Sequence, residues 1–235
     1  MNERNFISNI KEQNLGIFTI SDAARIIDKS RKYTVIYLNR LVERKIIKRI
    51  EKGKYCLLDT PFQVIASNLI IPSYISFLSG FSYYNLTTQI PRITQIATTK
   101  SKKTILFENS EIQFINLKQI FGYTRKKTLY GYIFIGEIEK IIIDSLFLPK
   151  YCPINETMSA IKQSKLKLQK LIDYSLKMNS IILIKRLGYL LEQNYIDIYP
   201  KVKKYLNVRY DLLNPYIPAI GEKNFKWKLL INEVI

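Results

Sequence analysis

Residues 17–58, IFTISDAARIIDKSRKYTVIYLNRLVERKIIKRIEKGKYCLL, constrain the fold more than any other stretch of the chain. Two helical patterns separated by a short turn run directly into a basic β-hairpin. Ile17–Ile20 reads as a short extended entry. Ser21 has the character of an N-cap and Asp22 suits the first turn of the helix that follows. Ala23, Ala24 and Ile27 point inward, and alanines there let a second helix cross closely. Ser30 reads as the cap of that second helix, which extends to about Arg44. Val35, Leu38, Leu41 and Val42 form its apolar stripe, and the opposite face carries Arg31, Lys32, Thr34, Tyr37 and Arg40. Ile46–Glu51 and Lys54–Leu58 are strand-like and joined through Lys52-Gly53, a tight turn. Preceded by a helix from Arg4 to about Gln13, this order outlines a winged helix-turn-helix, whose second helix lies in the DNA major groove.

Charge agrees with that outline. The 235 residues include 37 Lys and Arg against 19 Asp and Glu, a formal net charge of +18. Such a field favours polyanions, whether nucleic acid or an anionic membrane surface. Residues 1–58 hold 13 basic and 6 acidic side chains, so they are about twice as positive per residue as the rest. Arg31, Lys32, Tyr33 and Thr34 occupy the first turn of the recognition helix. There, Arg can pair with guanine and Thr or Tyr with a thymine methyl or a phosphate. Arg40 suits a backbone phosphate, as does Ser21 at the start of its helix. Lys48, Arg49, Lys52 and Lys54 lie on the hairpin, where a wing tracks the backbone or minor groove. The alternative for any one of these lysines is a solvated charge.

Asp59-Thr60-Pro61 reads as a boundary, dividing the chain into a winged helix at 1–59 and a second part at 60–235. Beyond it the composition turns aromatic and apolar. Phe62–Leu69 and Ser73–Tyr84 read as helices. Ile93–Thr99, Thr104–Phe107, Glu111–Leu117 and Leu129–Ile135 read as strands, the last one central. Helices follow at Glu137–Leu148, Glu156–Ser164, Leu168–Met178 and Ile181–Asn194, and Lys226–Val234 has strand character. The fold class is therefore α+β, a winged helix followed by a small sheet flanked by helices.

The second part offers weaker chemistry. Lys100, Lys102 and Lys103, and Arg125, Lys126 and Lys127, are basic clusters beside strands. They read as loop surfaces that either add phosphate contacts or simply solubilise. Glu137, Glu139 and Asp144 raise a metal-dependent nuclease, but an intervening face of Ile141 and Ile142 makes a solvated helix face the better reading. Phe77, Phe81, Tyr83 and Tyr84 could stack bases, although aromatic residues at helical spacing are more often core. The chain has no histidine and only two cysteines, Cys56 and Cys152. His-based triads and zinc sites, Cys-His dyads and a disulfide framework are thereby excluded. No cofactor, metal or catalytic residue is expected. No apolar run approaches the roughly 18 residues needed to span a bilayer, and the N-terminus has no apolar leader, so a cytoplasmic protein is expected.

The segment FTISDAARIIDKSRKYTVIYLNRLVERKIIKRIEKGKYCL resembles the winged-helix head of the AbiEi antitoxins of abortive-infection systems. PFQVIASNLIIPSYISFLSGFSYYNLTTQIPRITQIATTKSKK, IFGY, IEKIIIDSLFLPKY, MNSIILIKRLGYLLE and KWKLLINEVI are similar, in order, to that family's C-terminal domain. The resemblance implies the antitoxin of a type IV toxin–antitoxin system, associated with phage defence. It implies a non-enzymatic repressor that binds inverted repeats in its own promoter, with two copies on one DNA. It also implies a C-terminal domain that neutralises a nucleotidyltransferase-like toxin without a stable complex. By that resemblance the stretch from Arg31 to Tyr37 reads the operator and that from Lys48 to Lys54 is the wing. Lys45 stands where such heads usually have Gly, which costs about 1 kcal/mol if the turn is left-handed. Asn85 likewise replaces a Gly and tolerates that conformation well. The competing reading is an interaction protein whose second domain binds a toxin or effector directly.

Overall fold

The computed structural model describes residues 2–235 and is α+β. Its head comprises α1 (Glu3–Glu12), β1 (Phe18–Thr19), α2 (Ile20–Ile27), α3 (Arg31–Glu43), β2 (Ile47–Glu51) and β3 (Lys54–Leu57). β3 lies between β1 and β2, antiparallel to both. Each helix starts where a side chain can satisfy a free backbone N–H. Asn2 caps α1 and Ser30 caps α3, as the Ser30-Arg31 sequence predicts. α2 differs from expectation. Thr19, not Ser21, is its cap, in a reciprocal capping box with Asp22, and Ser21 sits exposed inside the first turn. Thr19 wins because β1 ends there in extended backbone, which Ser21 lacks. Arg44 caps the end of α3 and the next residue, Lys45, is left-handed at φ 56°, as is Asn85 at φ 56°.

The head core gathers Phe6, Ile10, Phe18, Ala23, Ile27, Leu38, Leu41, Ile47, Tyr55 and Leu57, with Phe6 packed edge-on against Phe18 and Tyr37. Tyr130, far along the chain, packs against the same cluster. Gly16 explains how the chain passes beneath it. A Cβ at Gly16 would fall 2.3 Å from Val64 Cγ1 and 3.1 Å from the Tyr130 carbonyl oxygen, so only glycine fits.

The chain divides into two compact units that do not follow it linearly. One takes the chain through Ile75, then Ile96–Ile120 and Thr124–Ile135; the other takes Ser76–Gln95, Phe121–Tyr123 and Gly136–Ile235. Besides the head, the first unit holds α4 (Phe62–Asn68) and most of a six-stranded sheet. Its strands are β4 (Ser73–Ile75), β5 (Ile93–Thr98), β6 (Ile105–Phe107), β7 (Ser110–Asn116), β8 (Tyr123–Thr128) and β9 (Gly131–Gly136), in the order β6-β7-β5-β4-β9-β8. β4 is antiparallel to β5 and parallel to β9, so the sheet is mixed.

Two departures from the sequence reading lie here. The expected helix Ser73–Tyr84 is instead β4 followed by α5 (Phe77–Tyr83), and Phe77 at φ 55° makes the corner between them. Ser73, Ser76, Ser79 and Ser82 recur every third residue, a spacing close to the helical period, and it hides the short strand at the start of the run. Arg125, Lys126 and Lys127 lie within β8, not in a loop, whereas Leu129 lies in the turn between β8 and β9. β8 is an edge strand, and cations are how such edges avoid pairing with other chains.

The second unit holds α5, α6 (Ile138–Phe147), α7 (Ile154–Gln163), α8 (Leu168–Lys177), α9 (Ile181–Glu192), the single turn α10 (Tyr199–Val202) and a three-stranded sheet. That sheet is β10 (Asp211–Leu212), β11 (Glu222–Asn224) and β12 (Leu229–Ile231), so only the middle of Lys226–Val234 is strand. Phe77 and Phe81 are core, as expected, and Gly80 lets Ile141 of α6 approach closely. Trp227 is fully buried over Gly188, where an added Cβ would meet the indole at 2.2 Å. Its ring nitrogen donates to Glu192 Oε2 at 2.6 Å.

The expected solvated face on α6 is a correction. Glu139 and Asp144 are buried together with Lys140. Asp144 accepts from Lys140 and from the Ser76 hydroxyl at 2.8 Å, and Glu139 accepts from the Lys167 backbone N–H at 3.0 Å. Glu137 is half-buried and accepts from Lys170 at 2.7 Å and from the Tyr174 hydroxyl at 2.5 Å. These carboxylates hold helices together instead of facing water.

Candidate nucleic-acid interface

An α-helix turns 100° per residue, so positions 34, 38 and 41 of α3 point the same way, and these are its buried residues. Thr34 is therefore on the inward face, 0% exposed, with its hydroxyl donating to the Ser30 carbonyl at 2.9 Å. It does not stand beside the exposed cations, as its place in the sequence suggested. Tyr37 also turns inward, edge-on to Phe6, and burial raises its hydroxyl pKa. The outward stripe is Lys32, Ile36, Asn39 and Glu43, flanked by Arg31, Tyr33 and Arg40. Tyr33 and Ile36 are 50% and 54% exposed, large for apolar-bodied side chains on a small helical domain.

Ile36 and Asn39 were missed by sequence reasoning. Their signal was the helical period itself, since 32, 36, 39 and 43 fall on one line once Thr34 is placed inward. Chemically the set suits a duplex edge. Asn can pair with adenine, an aliphatic side chain can cover a thymine methyl, and cations flank both.

The wing also sorts itself. Arg49 and Lys52 are exposed, Lys52 at the tip beside Gly53, whose φ of 79° the tight turn requires. Lys48 and Lys54 are committed inside the structure. Lys48 pairs with Glu108 at 2.6 Å, from the turn between β6 and β7. Lys54 donates to the Leu69 carbonyl at 2.6 Å and to Glu51 at 3.0 Å. Glu51 also receives Lys102 at 2.6 Å. Burial pushes the Glu51 carboxyl up, but hydrogen bonds from Lys102 and Lys54 outweigh it and hold the group below its usual value. The secondary cations divide the same way: Lys100, Lys103, Lys126 and Lys127 are exposed, Lys102 is half-buried, and Arg125 is exposed over the Tyr132 ring at 5.0 Å.

Cys56 and Cys152 are buried, and desolvation pushes each thiol up to about 12, which leaves them inert as thiolates. Among the described residues no group of three His, Cys, Asp or Glu is placed to hold a metal ion. Among them, too, no helix is long and apolar enough to cross a membrane.

The outward cations and the basic hairpin occupy the span that a known family describes. Residues 5–58 match the family model "Transcriptional regulator, AbiEi antitoxin". That AbiEi match ends at β3 and so concerns the head. No curated protein sequence matches the chain. Among solved structures, the crystal structure of the RV2827C protein from Mycobacterium tuberculosis is similar over 97% of this chain and 90% of that one. The two share a TM-score of 0.62 at 10% identity, a likeness of fold. The AbiEi-like head is thus continued by a fold with a solved counterpart.

Proposed function

We propose that the chain is a DNA-binding antitoxin of AbiEi type that represses its own promoter and is not an enzyme. The observation that carries this reading is the coincidence of the family match with the head's exposed stripe on α3 and its basic hairpin. In this reading residues 1–59 form the DNA-binding domain and 60–235 the antitoxin part. Arg31, Lys32, Tyr33, Ile36 and Asn39 reach base edges, while Arg40, Arg49 and Lys52 contact phosphates. The functional partner is a nucleotidyltransferase-like toxin, neutralised without a stable complex, in the cytoplasm and in the setting of phage defence. Two copies sit on inverted repeats, their half-sites about 34 Å or a multiple apart.

The test compares binding of the purified protein to its own upstream DNA and to a scrambled duplex at two salt concentrations. A large affinity ratio that persists at high salt supports an operator-reading repressor. Equal binding that collapses with salt removes it. A second reading, direct capture of a toxin or effector by the C-terminal unit, draws on the exposure of Val208, Tyr216, Ile220, Phe225 and Val234. Its mark is co-purification with a neighbouring gene product.

A further inference from the structure

We infer that the loop between β5 and β6, residues 99–104, is a second wing that lays Lys100 and Lys103 on the DNA backbone beside the hairpin tip. This extends the DNA-binding reading of the head and rests on it.

The loop is fixed where a contact needs it. Glu51 immediately precedes the Lys52-Gly53 tip, and its two carboxylate oxygens are shared between the wing and the loop. Oε2 accepts from Lys102 at 2.6 Å and Oε1 pairs with Lys54 at 3.0 Å. From the sheet side, the Lys102 ammonium lies 5.9 Å from the centre of the Phe114 ring. Lys54 is itself anchored on the Leu69 carbonyl. Lys54 and Lys100 line one open cleft of about 590 Å³. Between these anchors the flanking cations Lys100 and Lys103 are exposed.

A loop that serves only solubility needs no fixed position. This one is held from two sides, at the tip of the hairpin that carries Arg49 and Lys52. One carboxylate opposing Lys54 and Lys102 leaves the local field positive, and the two lysines beside Lys102 are free to meet phosphates. Glu51 is on this account a positioning residue: it touches no DNA and sets where the loop's cations stand.

The experiment uses the full chain and a duplex spanning its own upstream DNA, with hydroxyl-radical footprinting and affinity measured across a salt series. In the K100A/K103A variant the slope of log K against log salt should shrink by about 0.9 for each phosphate that is no longer neutralised. Protection should shorten at the flank next to the wing, with the ratio of specific to scrambled affinity unchanged. E51Q retains both lysines but should blur that same flank. K126A/K127A removes equal charge from β8 and should leave the flank intact. The inference is overturned if K100A/K103A binds with wild-type slope and footprint, if K126A/K127A trims the same flank, or if E51Q leaves the flank sharp. If the wild type fails to discriminate the duplex from a scrambled one, the repressor reading falls first.

Discussion

The head and the helical core of the second unit use the same charged side chains to opposite ends. On α3 the cations Arg31, Lys32 and Arg40 stand in solvent, and the helix holds itself inward with Thr34, Leu38 and Leu41. On α6 and α9 the cations are inside. Lys140 is buried against Asp144, and Lys185 is buried on Asp211, Asn207 and the Arg209 carbonyl. Arg186 donates to the Leu146 and Leu212 carbonyls, and burial lowers it to about 10. The cations of α3 are thus left to solvent, whereas those of α6 and α9 cross-link their own unit, as Lys48 and Lys54 do in the hairpin. What separates them is whether a carboxylate or carbonyl of the same unit lies within reach.

That contrast breaks most visibly at Asp144. Asp144→Ala removes the carboxylate facing a fully buried lysine and should cost about 3–5 kcal/mol in urea unfolding. Lys32→Ala, on the exposed stripe, should stay within roughly 0.5 kcal/mol. Comparable losses for the two would erase the distinction. Gly188→Ala, which drives a methyl into the Trp227 indole, should cost about 1–3 kcal/mol and show in near-ultraviolet circular dichroism.

For the exposed cations of the head the readout is binding, not folding. Arg31→Ala should weaken the specific duplex by about 1–3 kcal/mol and relax preference at one base position if that side chain reads a base. Lys45→Gly should raise stability by about 1 kcal/mol, since the left-handed φ of 56° strains any residue with a Cβ. An unchanged melting temperature would show that the turn is relaxed in solution.

The smallest effect is a pH dependence at Glu137. Burial raises its carboxyl, but the hydrogen bonds from Lys170 and Tyr174 prevail and hold it below the usual value of about 4.3. A depressed folded value means its stabilisation is complete above that usual value and is lost as pH falls through the lower one. Wild type and Glu137→Gln should differ by a constant amount at neutral pH and converge in acid. A difference that instead grew as pH fell would reverse the sign.

These regions also differed in how much their sequence disclosed. The head was legible because its periods and caps are local: Ser30 lies three residues from the N–H it accepts, and Lys52-Gly53 is a turn on its own. Thr19 took the place of Ser21 as cap, and Thr34 the place of Val35 at the centre of the stripe. These are shifts of one or two residues within a correct element. β8 could not be read, because an edge strand with three consecutive cations lacks the alternation that marks a strand. Lys140 and Asp144 could not be read as buried either, since the Ser76 hydroxyl they share a site with is 68 residues from Asp144. The outward stripe of the candidate interface was half legible. Its cations stood out by charge, while Ile36 and Asn39 needed the helix phase that only burial supplies.

Tyr130 packs against the core beneath α3, yet it is encoded 72 positions after Leu58, where the sequence of the basic hairpin ends. At about 5–20 residues per second on a ribosome, the head leaves the exit several seconds before its cover is made. For that interval α3 of a newly made head sits on a core that lacks one of the rings packed against it. The head core is therefore complete only after translation has passed through the sheet as far as Tyr130.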